Sequence, residues 1–151
     1  MNTHYLTSLF TPDKIALFGA SDRENSVGGV VFRNLLSAGF EGKIFAINPK
    51  HDTVQGEKAY ATLTDIGEQI DLAVVATPAS TIPAIVEACG EHNIKMMLIL
   101  SAGFRKIGEE GKKLGKRVTD LVERHGIRLM GPNCLGLMRP DKKLNITFGH
   151  N

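Results

Sequence analysis

The sequence lacks the features that would mark a membrane-bound, secreted or nucleic-acid-binding protein. It has no run of about 18 apolar residues, which a membrane-spanning helix needs. Its first residues lack the basic and apolar segments of a secretory signal. The net charge is only +2, and no cationic run exceeds two residues, whereas nucleic-acid binding needs a concentrated basic face. We therefore expect neither a membrane nor a nucleic acid among its partners.

Residue sets for catalysis and metal binding are also scarce. Cys89 and Cys134 lie far apart in the sequence, so they indicate neither a metal pair nor a disulfide framework, and a reducing cytoplasm is the expected compartment. The five histidines are scattered, and no histidine has a cysteine or aspartate partner at a useful spacing. No pair of carboxylates is placed for acid–base work. We therefore predict no metal and no catalytic set in this chain alone.

What the sequence does contain is an alternation of apolar and amphipathic segments. The apolar segments predict strands at 14–19, 43–47, 71–76, 96–100 and 127–130, with a sixth at 137–138 or 145–148. The amphipathic segments predict helices at 27–38, 80–91 and 107–125, the second capped by Ser80. Residues 52–63 are expected to form a short strand or a loop, and 63–69 a single helical turn capped by Thr64.

Continuous apolar strands separated by helices indicate a parallel sheet that is covered on both faces. The predicted fold class is α/β, a Rossmann-like doubly wound and mostly parallel sheet of five to six strands with helices on both faces. Residues 1–12 would be a lead-in and 13–151 a single ligand-binding domain. The sequence stops at Asn151 without a polar or charged tail, which favours a fragment of a longer multidomain protein.

The turn after the first strand has the wrong glycine spacing for a dinucleotide site. The fingerprint G-x-G-x-x-G would need glycines where Ser21 and Glu24 stand. A phosphate could still bind there, because Gly19 permits close approach of the backbone and the following helix offers free N–H groups. The hydroxyls of Ser21 and Ser26 could donate to it. Arg23 could add a charge-assisted hydrogen bond.

The turn after the second strand favours a ligand with an additional phosphate. An NAD site usually places an acidic residue here, but this strand ends in Asn48-Pro49-Lys50. A lysine suits either the 2′-phosphate of NADP or the 3′-phosphate of coenzyme A. Small or polar loops follow the other strands. The turn at 77–79 could form a wall against an adenine ring or a pantetheine chain. The residues themselves leave NADP and CoA open.

Five motifs in order resemble a known family. They are Gly19-Ala20-Ser21 with Ser26-Val27-Gly28, Ile47-Asn48-Pro49-Lys50, Ser101-Ala102-Gly103, the segment from Gly131 to Gly136, and the segment from Leu144 to Phe148. Over about residues 8–148 the chain resembles the N-terminal CoA-binding domain of ADP-forming acyl-CoA synthetases. The same domain begins related bacterial protein lysine acetyltransferases, and the alpha subunit of succinyl-CoA synthetase has a more distant version.

The resemblance implies a site for the nucleotide and diphosphate part of CoA or acetyl-CoA, at the carboxyl ends of the strands. Ala102 stands where succinyl-CoA synthetase has a glutamate, which puts a side-chain role there in doubt. The turn with Asn133 and Cys134 would face the phosphohistidine loop of a synthetase. The candidate cofactor-binding residues are Gly19, Ala20, Ser21, Arg23, Ser26, Val27, Asn48, Pro49, Lys50, Thr77, Pro78, Ala79, Leu100, Ser101, Ala102, Gly103, Asn133 and Cys134.

The resemblance also implies partners outside this chain. The phosphohistidine domain, an ATP-grasp domain and, in the second family type, an acetyltransferase domain would belong to the remainder of the parent protein. This chain would then bind CoA or acyl-CoA without catalysing a reaction. Two alternatives stay open: an NADP-binding oxidoreductase domain, for which Tyr5 and Tyr60 are in implausible places, and a free-standing CoA-binding protein.

Overall fold

The computed structural model describes residues 5–100, 108–131 and 136–148. The helices in these ranges are α1 (Tyr5–Phe10), α2 (Val27–Ser37), α3 (Ile82–Glu91) and α4 (Gly108–His125). The strands are β1 (Lys14–Phe18), β2 (Lys43–Ile47), β3 (Thr53–Val54), β4 (Glu57–Tyr60), β5 (Leu72–Val75), β6 (Met96–Ile99), β7 (Arg128–Met130), β8 (Gly136–Arg139) and β9 (Leu144–Thr147).

Strands β1 to β7 form one sheet in the order β3-β4-β2-β1-β5-β6-β7. Neighbouring strands run parallel, except that the edge strand β3 pairs antiparallel with β4. The first strand lies near the centre, because Phe18 pairs with Ile47 of β2 on one side and with Val75 of β5 on the other. Strands β8 and β9 form a separate antiparallel hairpin.

The sheet is covered on both faces because consecutive residues of a strand point to opposite sides. Ile15 and Leu17 of β1 pack in a core with α1, α2 and the β8–β9 hairpin. Ala16 and Phe18 of the same strand pack in a second core with α3 and α4. All four residues are buried, which explains the unbroken apolar run that predicted this strand. The doubly wound α/β fold is confirmed.

The edges of the fold differ from the sequence-based expectation. The segment predicted as a short strand or loop forms the β3–β4 hairpin, so the sheet has seven strands in the described ranges instead of five or six. Both positions proposed for a sixth strand are strands, but they pair with each other outside the main sheet. Residues 63–69 form turns and no helix. Thr64 contacts the ring of His92 through its hydroxyl instead of capping a helix.

The start of α3 differs from the prediction, and a helix occupies part of the predicted lead-in. A 3-10 turn, Ala79–Thr81, precedes α3. Thr81 therefore occupies the N-cap position, without a capping hydrogen bond from its side chain, and the predicted cap at Ser80 is wrong. Pro83 lies in the first turn of α3, where a missing N–H costs nothing. The predicted lead-in contains α1, whose Leu9 is buried against the sheet.

The thiol of Cys89 should be chemically inert in the folded protein. It lies on α3 in the core, and its burial raises its pKa to about 12, so almost none of it is the reactive thiolate at neutral pH. In a variant with Cys134→Ser, we expect no reaction with an aromatic disulfide reagent at about pH 8, and full reaction once urea unfolds the chain. Rapid labelling of the native variant would contradict this placement of Cys89.

Candidate functional site

The carboxyl edge of the sheet has a switch point between β1 and β5. The chain leaves β1 toward α2 on one face and leaves β5 toward α3 on the other face. A crevice opens where two such connections diverge, and ligands of open α/β sheets bind there. Gly19 lies at this point with φ of +94°, and a Cβ on it would stand 2.7 Å from the carbonyl oxygen of Ala76. Only glycine fits this close approach without strain.

The loop after β1 lies directly on the first turn of α2. A Cβ on Gly28 would overlap with the carbonyl oxygen of Gly19, and a Cβ on Gly29 would overlap with that of Arg23. Both glycines therefore allow the loop to sit closer to the helix than any side chain would permit. This contact brings the loop backbone to the positive end of the helix dipole, which favours an anion.

Ser26 is the residue that caps α2. Its Oγ accepts a hydrogen bond from the N–H of Gly29 at 3.0 Å and donates one to the carbonyl oxygen of Arg23 at 2.9 Å. The hydroxyl proton is thus used inside the loop, so Ser26 shapes the turn and does not donate to a phosphate in this arrangement. The amides of Val27 and Gly28 belong to the first helical turn, which provides no intrahelical acceptor for them.

Ser21 and Arg23 form a small turn within the loop. The Oγ of Ser21 accepts a hydrogen bond from the N–H of Arg23 at 3.0 Å, which leaves the hydroxyl proton of Ser21 outside that bond. The side chain of Arg23 is exposed. The hydroxyl of Ser21 and the guanidinium of Arg23 therefore remain candidate donors to an anion.

Asn48 connects the first two loops. Its Nδ2 donates to the carbonyl oxygen of Ala20 at 3.0 Å, and its Oδ1 accepts from the N–H groups of Lys50 and His51 at 2.8 and 3.2 Å. The side chain of Asn48 thus sets the turn that presents the exposed Lys50 beside the first loop. The structure thus brings these two predicted loops together through the side chain of Asn48.

A cleft of about 300 Å³ opens at the same edge, between the ends of the strands and α3. Gly19, Pro49 and Thr77, three of the predicted residues, line it together with apolar side chains such as Leu63 and Ile85. The turn at 77–79 is braced by the hydroxyl of Thr81, which lies 2.7 Å from that of Thr77 and 2.6 Å from the carbonyl oxygen of Pro78. A flat ring or an alkyl chain would fit such an apolar wall.

Some predicted residues can contribute only through their backbone, and others are not described. The side chains of Ala20 and Leu100 are 1% and 4% exposed and pack in the core with α2. Ser101, Ala102, Gly103, Asn133 and Cys134 lie outside the described residues. Their predicted contacts to CoA stay predictions.

Sequence reasoning missed Gln55 and Asp22. Gln55 stands in the turn between β3 and β4, and its Nε2 donates to the carbonyl oxygens of Ser21 at 3.0 Å and Gly29 at 2.9 Å. Its N–H donates to Oδ1 of Asp22 at 2.6 Å. The one local signal was the pair Gln55-Gly56, which marks a tight turn. Nothing local indicated which loop this turn contacts.

The described ranges contain neither a metal-binding cluster nor a membrane-spanning helix. Among residues 5–100, 108–131 and 136–148, no three His, Cys, Asp or Glu side chains are grouped closely enough to hold a metal ion. In the same ranges, no helix is both long and apolar enough to cross a bilayer.

Similarity to known proteins agrees with this geometry. The sequence model of the CoA binding domain family matches residues 13–140. The chain is 36% identical over 148 residues to the alpha subunit of acetate–CoA ligase [ADP-forming] I of Pyrococcus furiosus, covering 95% of this chain and 32% of that protein. It is 39% identical over 142 residues to 4-hydroxybutyrate–CoA ligase [ADP-forming] of Nitrosopumilus maritimus, covering 93% of this chain and 20% of that protein.

Solved structures show the same relationship. The acetyl-coenzyme A synthetase 1 of Ca. Korarchaeum cryptofilum, solved with phosphate and ADP, superposes with a TM-score of 0.88 at 34% identity over 96% of this chain and 31% of that one. The chain thus spans between a fifth and a third of the length of these relatives. This chain belongs to the CoA-binding domain family and is homologous to the corresponding part of ADP-forming acyl-CoA synthetases.

Proposed function

We propose that the carboxyl edge described above binds the nucleotide and diphosphate part of CoA or an acyl-CoA such as acetyl-CoA. The observation that carries this proposal is the close packing of Gly19 on Gly28, which brings a backbone loop to the amino end of α2. The diphosphate would lie against this loop and the amides of Val27 and Gly28. The adenine ring or the pantetheine chain would lie in the apolar cleft beside Thr77.

Lys50 is the proposed partner of the 3′-phosphate of CoA. Its side chain is exposed, and the Asn48 turn places it beside the loop that would hold the diphosphate. A lysine ammonium there would favour an additional phosphate on the ribose, which dephospho-CoA lacks. The contact would be a charge-assisted hydrogen bond that weakens as the salt concentration rises.

Calorimetric titration tests this proposal. We expect micromolar binding of CoA and weaker binding of dephospho-CoA and NADP. Lys50→Ala should weaken CoA binding about tenfold, ~1.4 kcal/mol, with little effect on dephospho-CoA. Lys142→Ala is the matched control, because Lys142 is an exposed lysine at the amino ends of the strands, beside Asp13 and Gly42. Tight binding of NADP without binding of CoA would overturn the proposal.

The parent reaction that fits best is that of an ADP-forming acyl-CoA synthetase. The named relatives are ligases of this kind, and this chain matches one part of each of them. The remaining chemistry would then require a phosphohistidine domain and an ATP-grasp domain, and the compartment would be the cytoplasm. Addition of ATP, acetate and CoA to the complete parent protein should yield acetyl-CoA, ADP and phosphate. An acetyltransferase parent would instead modify lysines without this ATP-dependent step.

A free-standing CoA-binding protein is the second candidate. The observation that favours it is a short relative, the uncharacterized protein YneT of Bacillus subtilis, which is 32% identical over 104 residues. That match covers 66% of this chain and 76% of YneT, so a protein of similar size carries most of this domain. This function would leave the binding experiment unchanged and would predict no synthetase activity in the natural full-length protein.

A further inference from the structure

The turn between β3 and β4 has an unusual residue at its first position. Gln55 has φ of +49° and is followed by Gly56 at φ of +79°. Turns with two such residues favour asparagine, aspartate or glycine at the first position, because these tolerate the left-handed conformation best. Glutamine strains the backbone at this position more than asparagine, aspartate or glycine would. Such strain concentrates at functional positions.

The side chain of Gln55 accounts for this choice. Its Nε2 bridges two carbonyl oxygens, those of Ser21 in the loop and Gly29 in α2. Both partners can only accept, so the amide nitrogen and not the oxygen faces them. Asparagine would suit the turn better, but it is one methylene shorter. The N–H of Gln55 also donates to the carboxylate of Asp22, so one residue makes three hydrogen bonds to the loop and the helix it covers.

These bonds fix the direction of the loop amides. In a trans peptide the C=O and N–H groups point in opposite directions. The carbonyl of Ser21 faces Gln55, so the N–H of Asp22 points away from the β3–β4 hairpin. In the same way the carbonyl of Ala20 faces Asn48, so the N–H of Ser21 points away from that side chain. Without the hairpin, the carbonyl of Ser21 would lose its hydrogen bond to Gln55, and the Ser21–Asp22 peptide would be less constrained.

We propose that Gln55 is a positioning residue that holds the loop of residues 19–23 in the conformation that binds the diphosphate of CoA. This inference rests on the proposed function. Gln55 would not touch the ligand. It would act by keeping the loop amides in place before binding, and the hairpin at the sheet edge would serve as the support for the ligand loop.

The substitution Gln55→Gly separates this role from a contribution to folding. Glycine is favoured at positive φ, so the turn and the midpoint of thermal unfolding should be preserved. CoA affinity should fall about five- to tenfold, as for one lost set of side-chain hydrogen bonds. Dephospho-CoA should lose the same factor, because the loop would hold the diphosphate that both ligands share. Lys50→Ala, in contrast, should affect CoA alone.

Hydrogen exchange provides a readout that does not depend on the ligand. Amides of residues 20–24 should exchange faster in Gln55→Gly than in the unsubstituted chain, with no change in α3. Gln55→Glu, which keeps the size but loses the donor, should reproduce both effects. Gln69→Ala is the matched control. The Nε2 of Gln69 also donates to backbone carbonyls, including that of His92, but it lies at the amino ends of the strands, away from the ligand loop.

The outcomes are distinguishable. If the unsubstituted chain binds CoA and Gln55→Gly binds it equally well, the positioning role is overturned while the proposed function stands. If the unsubstituted chain binds neither CoA nor dephospho-CoA, the proposed function itself fails. If Gln55→Gly lowers the unfolding midpoint and loses CoA affinity only in proportion to that loss of stability, the role of Gln55 is structural and the inference is wrong.

Discussion

Replacing Gly28 with alanine should lower the free energy of unfolding by at least about 3 kcal/mol and remove detectable CoA binding. The added Cβ would overlap with the carbonyl oxygen of Gly19 and stand 2.6 Å from its carbonyl carbon. Neither atom can move without displacing the end of β1 or the start of α2. In an ordinary helix, the same change stabilises the protein by about 1 kcal/mol, so the expected sign is reversed here.

Urea unfolding and calorimetry on the same preparation check this expectation. Gly67→Ala is the matched control, because Gly67 has φ of +69° but nothing within 4 Å of the added Cβ. It should lose only about 1 kcal/mol, the cost of the strained backbone, and keep its CoA affinity. A stable Gly28→Ala protein that binds CoA normally would show that the loop does not sit on α2 as described.

Phe32→Ala should destabilise the protein by about 3–5 kcal/mol, the range for deleting a buried aromatic ring. Phe32 is 0% exposed and is the largest side chain among the fully buried residues of the described ranges. It lies on α2 in the core that also holds Ile15 of β1 and Leu144 and Ile146 of β9. Because α2 carries the proposed ligand loop at its amino end, loss of this packing should also weaken CoA binding.

The measurement for Phe32 is the urea midpoint together with the slope of the transition. Phe10→Ala provides the control, since Phe10 on α1 is 36% exposed and its loss should cost less than about 1 kcal/mol. A lower midpoint with an unchanged slope would show a loss of stability without a change in the surface exposed on unfolding. Equal losses for the two substitutions would contradict the packing of α2 described above.

The centre of the fold could be predicted from the sequence because its signal is local. Strand β5 is apolar at every position, since helices cover both of its faces. The edges have no such signal. Strand β3 is only two residues long, too short to show any alternation, and its turn begins with a glutamine that seldom marks a turn. The β8–β9 hairpin was visible as strands, but its pairing was not.

The candidate site divides in the same way. The role of Ser26 as a helix cap could be read from its position before an apolar helical pattern, and the Asn48-Pro49 pair marked a turn. Gln55 and Ser21 are 34 positions apart, and their hydrogen bond exists only because the sheet order brings the hairpin beside the loop. No local pattern encodes such a contact, so the sequence predicted the loop without its support.

The central position of β1 has a consequence for synthesis on the ribosome. This strand leaves the ribosome well before one of its two partners, β5, which ends only at Val75. The carboxylate of Asp71, which accepts hydrogen bonds from the N–H groups of Asp13 and Lys14, follows them by 58 and 57 positions. Contacts between residues so far apart in sequence form slowly. During synthesis the apolar β1 therefore stays unpaired on the side that later binds β5. Strand β1 is therefore the part of this domain that a chaperone would need to shield longest.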